Sequence, residues 1–244
     1  MRRLRSLILS RLLFAAALLL SVGAAAEPVR LSVHGVDLQR LDPKVTRVGQ
    51  LDFVAGFELS SNHSSFGGYS GLVVDEGGQR LVAVSDLCHW LVARLARDEH
   101  GRLRGIDGAE IHPMLDRRGN PFAIKRAGDA EALDKLPDGS FVVAFEQVHR
   151  IARYRGPEPW RSRAEAVPGP DDLTRQASNG GVETLAHLGD GRLLLISETE
   201  RRPDGALKAW LGDGRTWSAL GYRRRDDYRP VDAKALPNGD LLVL

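Results

Sequence analysis

An all-β chain of repeated antiparallel sheets is what this sequence predicts, and three observations carry the prediction. A hairpin pattern of apolar run, turn triplet and apolar run occurs four times, most clearly in GDAEALDKLPDGSFVVAFEQVHR, residues 128–150. The hairpins start near residues 71, 131, 183 and 231, at intervals of 60, 52 and 48 residues, which is the length of a four-stranded unit rather than of a single hairpin. No amphipathic helix of useful length competes, because the helical period at Ala164-Glu165-Ala166 is cut by Pro168 and Pro170, and residues 176–181 are polar and glycine-rich. Together they predict a β-propeller of four-stranded antiparallel blades, truncated at the C-terminus.

The chain opens with a segment that does not belong to that fold. Arg2, Arg3, Arg5 and Arg11 precede an apolar stretch at residues 12–22 that is too short to span a bilayer, and Ala24-Ala25-Ala26 offers a small-residue cleavage site before Glu27. Residues 1–26 are therefore expected to be an export signal, of the general secretory kind rather than the twin-arginine kind. The mature chain is then residues 27–244, periplasmic or secreted. Without the four signal arginines the formal charge changes from +2 to −2. The basic balance thus belongs to the signal, and with no basic stripe bearing interleaved aromatics, nucleic acid is excluded as a partner. There is no second apolar segment of membrane-spanning length, so no membrane association is expected after cleavage. Cys88 is the single cysteine, so the exported chain folds without an internal disulfide and relies on packed sheets.

The strands follow in order. Residues 51–57 read as a strand, and the polar, glycine-rich run from Ser60 to Gly71 leads into the first hairpin, SGLVVDEGGQRLVAVSD. A third strand follows each of the first two hairpins, at residues 89–95 and 149–154, and a short fourth one lies near residues 109–111. In the second hairpin the five apolar residues 141–145 suggest a strand buried on both faces. The third hairpin is GVETLAHLGDGRLLLISE, and the fourth, PVDAKALPNGDLLVL, stops inside its second strand. A closed ring would require about one or two further blades at these periods.

Acidic residues recur at matching positions. Glu131 and Glu146 flank the Pro137-Asp138-Gly139 turn fifteen positions apart, Glu183 and Glu198 flank Gly189-Asp190-Gly191 at the same separation, and Gly71 and Asp86 flank the first turn likewise. Regular pairing would bring Glu131 and Glu146 face to face. Radial blades place one repeated position on one ring, so these acids, with Asp129 and Asp232, should gather at one end of the channel. Like charges so placed repel. A divalent cation, neighbouring basic groups or a retained proton can each compensate. Arg150 and Arg202 each follow a glutamate by four residues, and His89 and His149 follow Asp86 and Glu146 by three. Such a ring can hold a metal and an anion together or perform acid–base chemistry; alternatively, its acids accept hydrogen bonds from the backbone amides of neighbouring blades. His63, His112 and His187 are weaker candidates, and Ser70 lacks the flanking glycines of a nucleophile elbow.

The run FGGYSGL, VAVSD, GDAEAL, LPDGSFVVAFE, HRI, VETLAHLGDGRLLLISE and ALPNGDLLVL resembles the exported phytase-like family, described as esterase-like activity of phytase. The resemblance implies a β-propeller hydrolase of phosphoesters or carboxylic esters, with Asp86, Asp129, Glu131, Glu146, Glu183, Glu198 and His149 at the reacting centre. Arg150 and Arg202 are expected to bind a small anionic or ester substrate. Asp129, Glu131 and Glu183 are the expected ligands of a divalent cation such as calcium, by analogy with calcium-dependent propeller phytases. A lactonase-type propeller enzyme and a non-catalytic periplasmic propeller that binds a ligand or partner are the alternatives.

Overall fold

The computed structural model describes residues 26–75 and 77–244. Apart from Ala26, the export segment read at residues 1–26 lies outside the described residues. The first strands are short: β1 (Glu27–Pro28), β2 (Ser32–Val36), β3 (Arg47–Val48), β4 (Leu51–Asp52) and β5 (Gly56–Ser60). The strand expected at residues 51–57 is thus split in two, β4 pairing with β3 and β5 with β2.

The hairpins expected at residues 66–86, 129–146, 181–198 and 231–244 all form. Blade 1 contains β6 (Tyr69–Val74), β7 (Arg80–Ser85), β8 (His89–Arg97) and β9 (Leu103–Pro113), with β1 added at its outer edge. The fourth strand of this blade is much longer than the short run at residues 109–111. Blade 2 contains β10 (Ala130–Lys135), β11 (Phe141–Phe145), β12 (Arg150–Tyr154) and β13 (Glu165–Val167). Blade 3 contains β14 (Val182–His187), β15 (Leu193–Arg201), β16 (Leu207–Gly212) and β17 (Trp217–Tyr222), and the pair β18 (Ala233–Ala235) and β19 (Leu241–Val243) follows. Every pairing within these sheets is antiparallel. The first strands of successive sheets pack side by side, β6 on β10, β10 on β14 and β14 on β18, which is the radial arrangement of a propeller. Among the described residues, no helix is long and apolar enough to cross a membrane.

Turn chemistry sets the registers. In blade 2 the Gly139 amide donates to Leu136 O at 2.9 Å, Gly139 adopts φ +82°, and the Leu136 amide donates to Ser140 O at 2.8 Å. That is a tight turn closed by a glycine in the left-handed region. Gly191 and Gly239 close the turns of the third and fourth hairpins in the same way. The first hairpin closes from Asp75 to Arg80, one residue longer.

All five residues of β11 are buried, and the alternation of a strand divides them between two cores. Phe141, Val143 and Phe145 join Val82, Val84, Trp90, Leu133, Met114 and Tyr154 between blades 1 and 2. Val142 and Ala144 join Ile151, Leu185, Leu195 and Trp210 between blades 2 and 3. Trp90 meets Tyr154 edge to face at 5.2 Å. Each such large side chain contributes about 1.5–3 kcal/mol by leaving water.

Blades 1 and 2 approach closely at Gly71, where a Cβ would lie 2.7 Å from both the amide nitrogen and the Cβ of Leu133. Gly71→Ala is therefore expected to lower stability by about 1–3 kcal/mol, as overpacking does. Gly105→Ala, with nothing within 4 Å, should stay within about 0.5 kcal/mol. Urea unfolding of the two variants checks this, and equal midpoints would show that the blades are not in tight contact there.

Candidate functional site

The repeated acids do converge, but by a different construction from regular cross-strand pairing. Ala132 pairs with Ala144, yet Ala130 pairs with Phe145, so Glu131 is the extra residue of a β-bulge. Glu183 is bulged in the same way between Val182 and Thr184, and Ser70 between Tyr69 and Gly71. In the fourth hairpin Leu244 bonds to both Val231 and Asp232, placing Asp232 at the corresponding position. Bulges re-aim side chains and end pairing. Glu131 is consequently not opposite Glu146. The Glu146 amide donates to Asp129 O at 2.8 Å, as Asp86 does to Gly68 and Glu198 to Gly181. The blade 1 counterpart of Glu131 is Ser70 rather than Gly71, because the longer first turn displaces the count by one.

Asp129, Glu131 and Glu146 each present an oxygen, and the three atoms lie within 4.8 Å of one another. Two of the three expected cation ligands, Asp129 and Glu131, belong to this trio, and Glu146 is its third member. Asp129 is 1% exposed and is bound by Lys125 Nζ at 2.6 Å and by Gln147 Nε2. Lys125 also reaches Asp86 at 2.9 Å. Glu146 accepts the Gly181 amide of blade 3 at 2.8 Å, the backbone role that sequence reasoning set as the alternative for these acids. Glu198 is paired with Arg229 at 2.9 Å. Among the described residues, Glu131, Glu146 and Glu183 form no ion pair.

The cations that face the acids are thus Lys125 and Arg229, not Arg150 and Arg202. Arg150 donates to Val148 O at 2.9 Å and to Ala127 O at 2.5 Å and lies 3.8 Å above the Phe145 ring, so it serves the core behind the ring of acids. Arg202 closes the turn between β15 and β16, with Asp204 3.7 Å away. His149 is buried, with Nε2 2.8 Å from Ala177 O, and His89 bonds to Leu87 O at 2.6 Å. His63 pairs with Glu27 and His112 with Glu110. A cavity of about 700 Å³ lined by Pro137, His187, Arg192 and Lys234 lies at the turn end of the hairpins, away from the carboxylates.

Sequence reasoning missed Lys125, Arg229 and Gln147, and weighed Ser70 only as a nucleophile, not as a neighbour of Glu131. Lys125 precedes Asp129 by four residues across the 3-10 turn Lys125–Ala127, a signal that was available. Arg229 reaches Glu198 from 31 residues away along the chain and left no local trace.

Burial pushes the Glu131 carboxyl up to about 8, with the charges of Glu183, Asp129 and Glu146 adding to it and a Ser70 hydrogen bond opposing it. Burial also pushes Glu183 up to about 7, helped by Glu198 and Glu146 and opposed by Arg229. Burial raises Asp232 as well. The site therefore holds protons near neutrality unless a cation takes their place. The oxygen-only donor set suits a hard divalent ion such as calcium, magnesium or manganese, and neither Glu131 nor Glu146 has an ion-pair partner among the described residues.

These shifts give a signed pH dependence. The folded chain binds more protons than the unfolded chain between the ordinary carboxylate range near 4.5 and the folded values of about 7 and about 8. Metal-free stability is then full below about pH 4.5 as far as these two groups go, and is lost as pH rises through 7 and 8. Asp98, Asp116, Asp138, Asp190 and Asp213 are lowered by hydrogen bonds in their turns, so their contribution is instead lost in acid, below the ordinary aspartate value of 3.8. Glu131→Gln should flatten the decline between pH 5 and 8, measured by thermal melts in chelator; an unchanged slope would show that Glu131 ionises freely.

The sequence matches the family described as phytase-like, esterase-like activity of phytase, over residues 64–244. No curated protein matches it significantly. Among solved structures, one named for the gluconolactonases is 16% identical with a TM-score of 0.45, covering 76% of this chain and 60% of its own. A gluconolactonase from Xanthomonas campestris is 14% identical with a TM-score of 0.43, covering 72% and 55%. A streptogramin B lyase is 11% identical with a TM-score of 0.43, covering 79% and 67%. The chain thus spans 55–60% of the length of the two gluconolactonase structures. With its blades in radial order and 64–244 matched throughout, the chain belongs to the phytase-like family.

Proposed function

We propose that this chain carries the catalytic site of an exported hydrolase that cleaves a phosphoester or carboxylic ester at the acidic end of a propeller channel, assisted by a divalent cation. The observation that carries the proposal is the convergence of Asp129, Glu131 and Glu146 within 4.8 Å, with no cationic side chain among the described residues on Glu131 or Glu146. The family description supports hydrolysis, and the basic and apolar start at residues 1–26 supports export to the periplasm or medium.

Asp129, Glu131 and Glu146 would hold the ion, which when bound supplies Lewis-acid polarisation of the substrate oxygen and a lowered pKa for water. Gln147 and Lys125 fix the Asp129 carboxylate from either side. Glu183, raised to about 7, keeps a proton near neutrality and can deliver it to the leaving-group oxygen. Lys125 and Arg229 flank the acids and take the anion-orienting role that the sequence suggested for Arg150 and Arg202. A lactone is the second reading. Six acids, Asp86, Asp129, Glu131, Glu146, Glu183 and Glu198, outnumber those two cations, and such a field favours a neutral ester over a phosphate whenever no ion is bound.

The test uses the full-length protein with p-nitrophenyl phosphate, p-nitrophenyl acetate and gluconolactone, each with calcium, magnesium or manganese and then with excess chelator. Activity on at least one substrate should fall on chelation, and Glu131→Gln should lower kcat/KM by about a hundredfold or more while leaving the melting temperature within a few degrees. Ion-independent turnover would remove the cation from the reading. No turnover of any of the three would favour a ligand-binding propeller.

A further inference from the structure

We propose that His149, which the sequence suggested as an acid or base, is a positioning residue: it pins a strap of blade 3 so that the Gly181 amide holds Glu146 in the geometry the cation requires. The inference rests on the cation reading above. His149 and Glu146 leave the same turn between β11 and β12, and both are buried, at 7% and 6% exposure. His149 Nε2 lies 2.8 Å from Ala177 O, and because a carbonyl only accepts, this nitrogen carries the proton and donates. Nδ1 is shut off from solvent, without a partner among the described residues. With one nitrogen committed to backbone and the other enclosed, neither is open to substrate.

The held segment is residues 176–181. Gly180 O accepts Thr199 Oγ1 at 2.8 Å and Ser197 Oγ at 3.2 Å, and Gly181 O accepts the Glu198 amide at 2.8 Å. These bonds fasten the strap to its own blade. His149 fastens it to blade 2, and Gly181 returns the contact by donating to Glu146 Oε1 at 2.8 Å. The fit leaves no slack: a Cβ at Gly181 would lie 2.5 Å from His149 Cε1 and 3.6 Å from Glu146 Cγ. Gly180, at φ +81°, makes the bend that allows the approach. Glu146 thus receives its orientation from an amide whose position His149 sets, and a carboxylate bound through one oxygen retains the other for an ion.

The experiment compares full-length wild type, His149→Phe and His149→Gln. Phenylalanine keeps the ring volume without a donor, while glutamine keeps an N–H able to reach the Ala177 carbonyl. Two quantities are read: hydrogen exchange of the Gly181 amide without metal, and calcium affinity by calorimetry. In His149→Phe, Gly181 exchange should quicken at least about tenfold and calcium binding weaken by about tenfold or more, the usual cost of losing a group that orients a ligand. His149→Gln should stay within about threefold of wild type in both. Wild-type protection in His149→Phe, or equal damage in both variants, would overturn the proposal. If the Phe variant does not fold, Gly181→Ala disturbs the strap from the other side, and calcium binding like wild type in that variant would equally overturn it. If wild type binds none of calcium, magnesium and manganese, the cation reading fails, while the exchange comparison still decides whether His149 positions Gly181.

Discussion

The two-sided burial of Phe141–Phe145 fixes the rest of this structure. A strand packed on one face specifies its register by the cost of turning apolar residues outward, whereas a strand packed on both has no solvent face to slip towards. Its five side chains interlock with two different cores. The turn at Gly139 then has one place to close, and the bulge at Glu131 has one place to form. Glu131 can stand half-buried among other acids because the strand that carries it is held by contacts far stronger than the repulsion at its end.

That repulsion is handled unevenly around the ring. Asp86 and Asp129 share Lys125, Glu198 has Arg229, and Glu146 has a backbone amide. Glu131 has only the Ser70 hydroxyl opposing burial and three neighbouring charges. The compensated acids are settled in the fold, and the uncompensated ones, Glu131 and Glu183, are those whose protonation a cation or substrate can change. Groups whose surroundings push them towards neutrality while their neighbours remain charged are where acid–base or ion chemistry is expected.

The repeats were legible because the signals that make a hairpin are local: period-two apolar runs, a turn triplet, and a glycine where φ must be positive. The ring of acids was legible too, since blades of one kind bring equal positions together. The errors all arose where position along the chain was taken for position in space. Counting fifteen residues from Glu131 to Glu146 cannot reveal a bulge, which inserts a residue into one strand alone. The same count placed Gly71 where Ser70 belongs, because the first turn is one residue longer. Arg150 and Arg202 were assigned by a four-residue spacing that joins side chains on a helix but carries no such meaning across a β-turn. In fact Arg150 turns back onto Phe145, and Arg202 onto its own hairpin. Arg229, which does reach the ring, crosses 31 residues to do so.

Glu146 shows why a structural and a functional reading of these acids are compatible. Its carboxylate satisfies the buried Gly181 amide of the next blade, a bond whose loss would leave a donor stranded away from water. The same carboxylate belongs to the trio that meets within 4.8 Å. One oxygen can join the blades while the other faces the channel, so the contact that registers blade 3 against blade 2 also fixes the distance between Glu146 and Asp129. In a propeller assembled from repeats, the position best placed to brace neighbouring blades is also the one nearest the axis. An acid there can meet both demands, since a carboxylate has acceptor capacity for an amide and an ion at once.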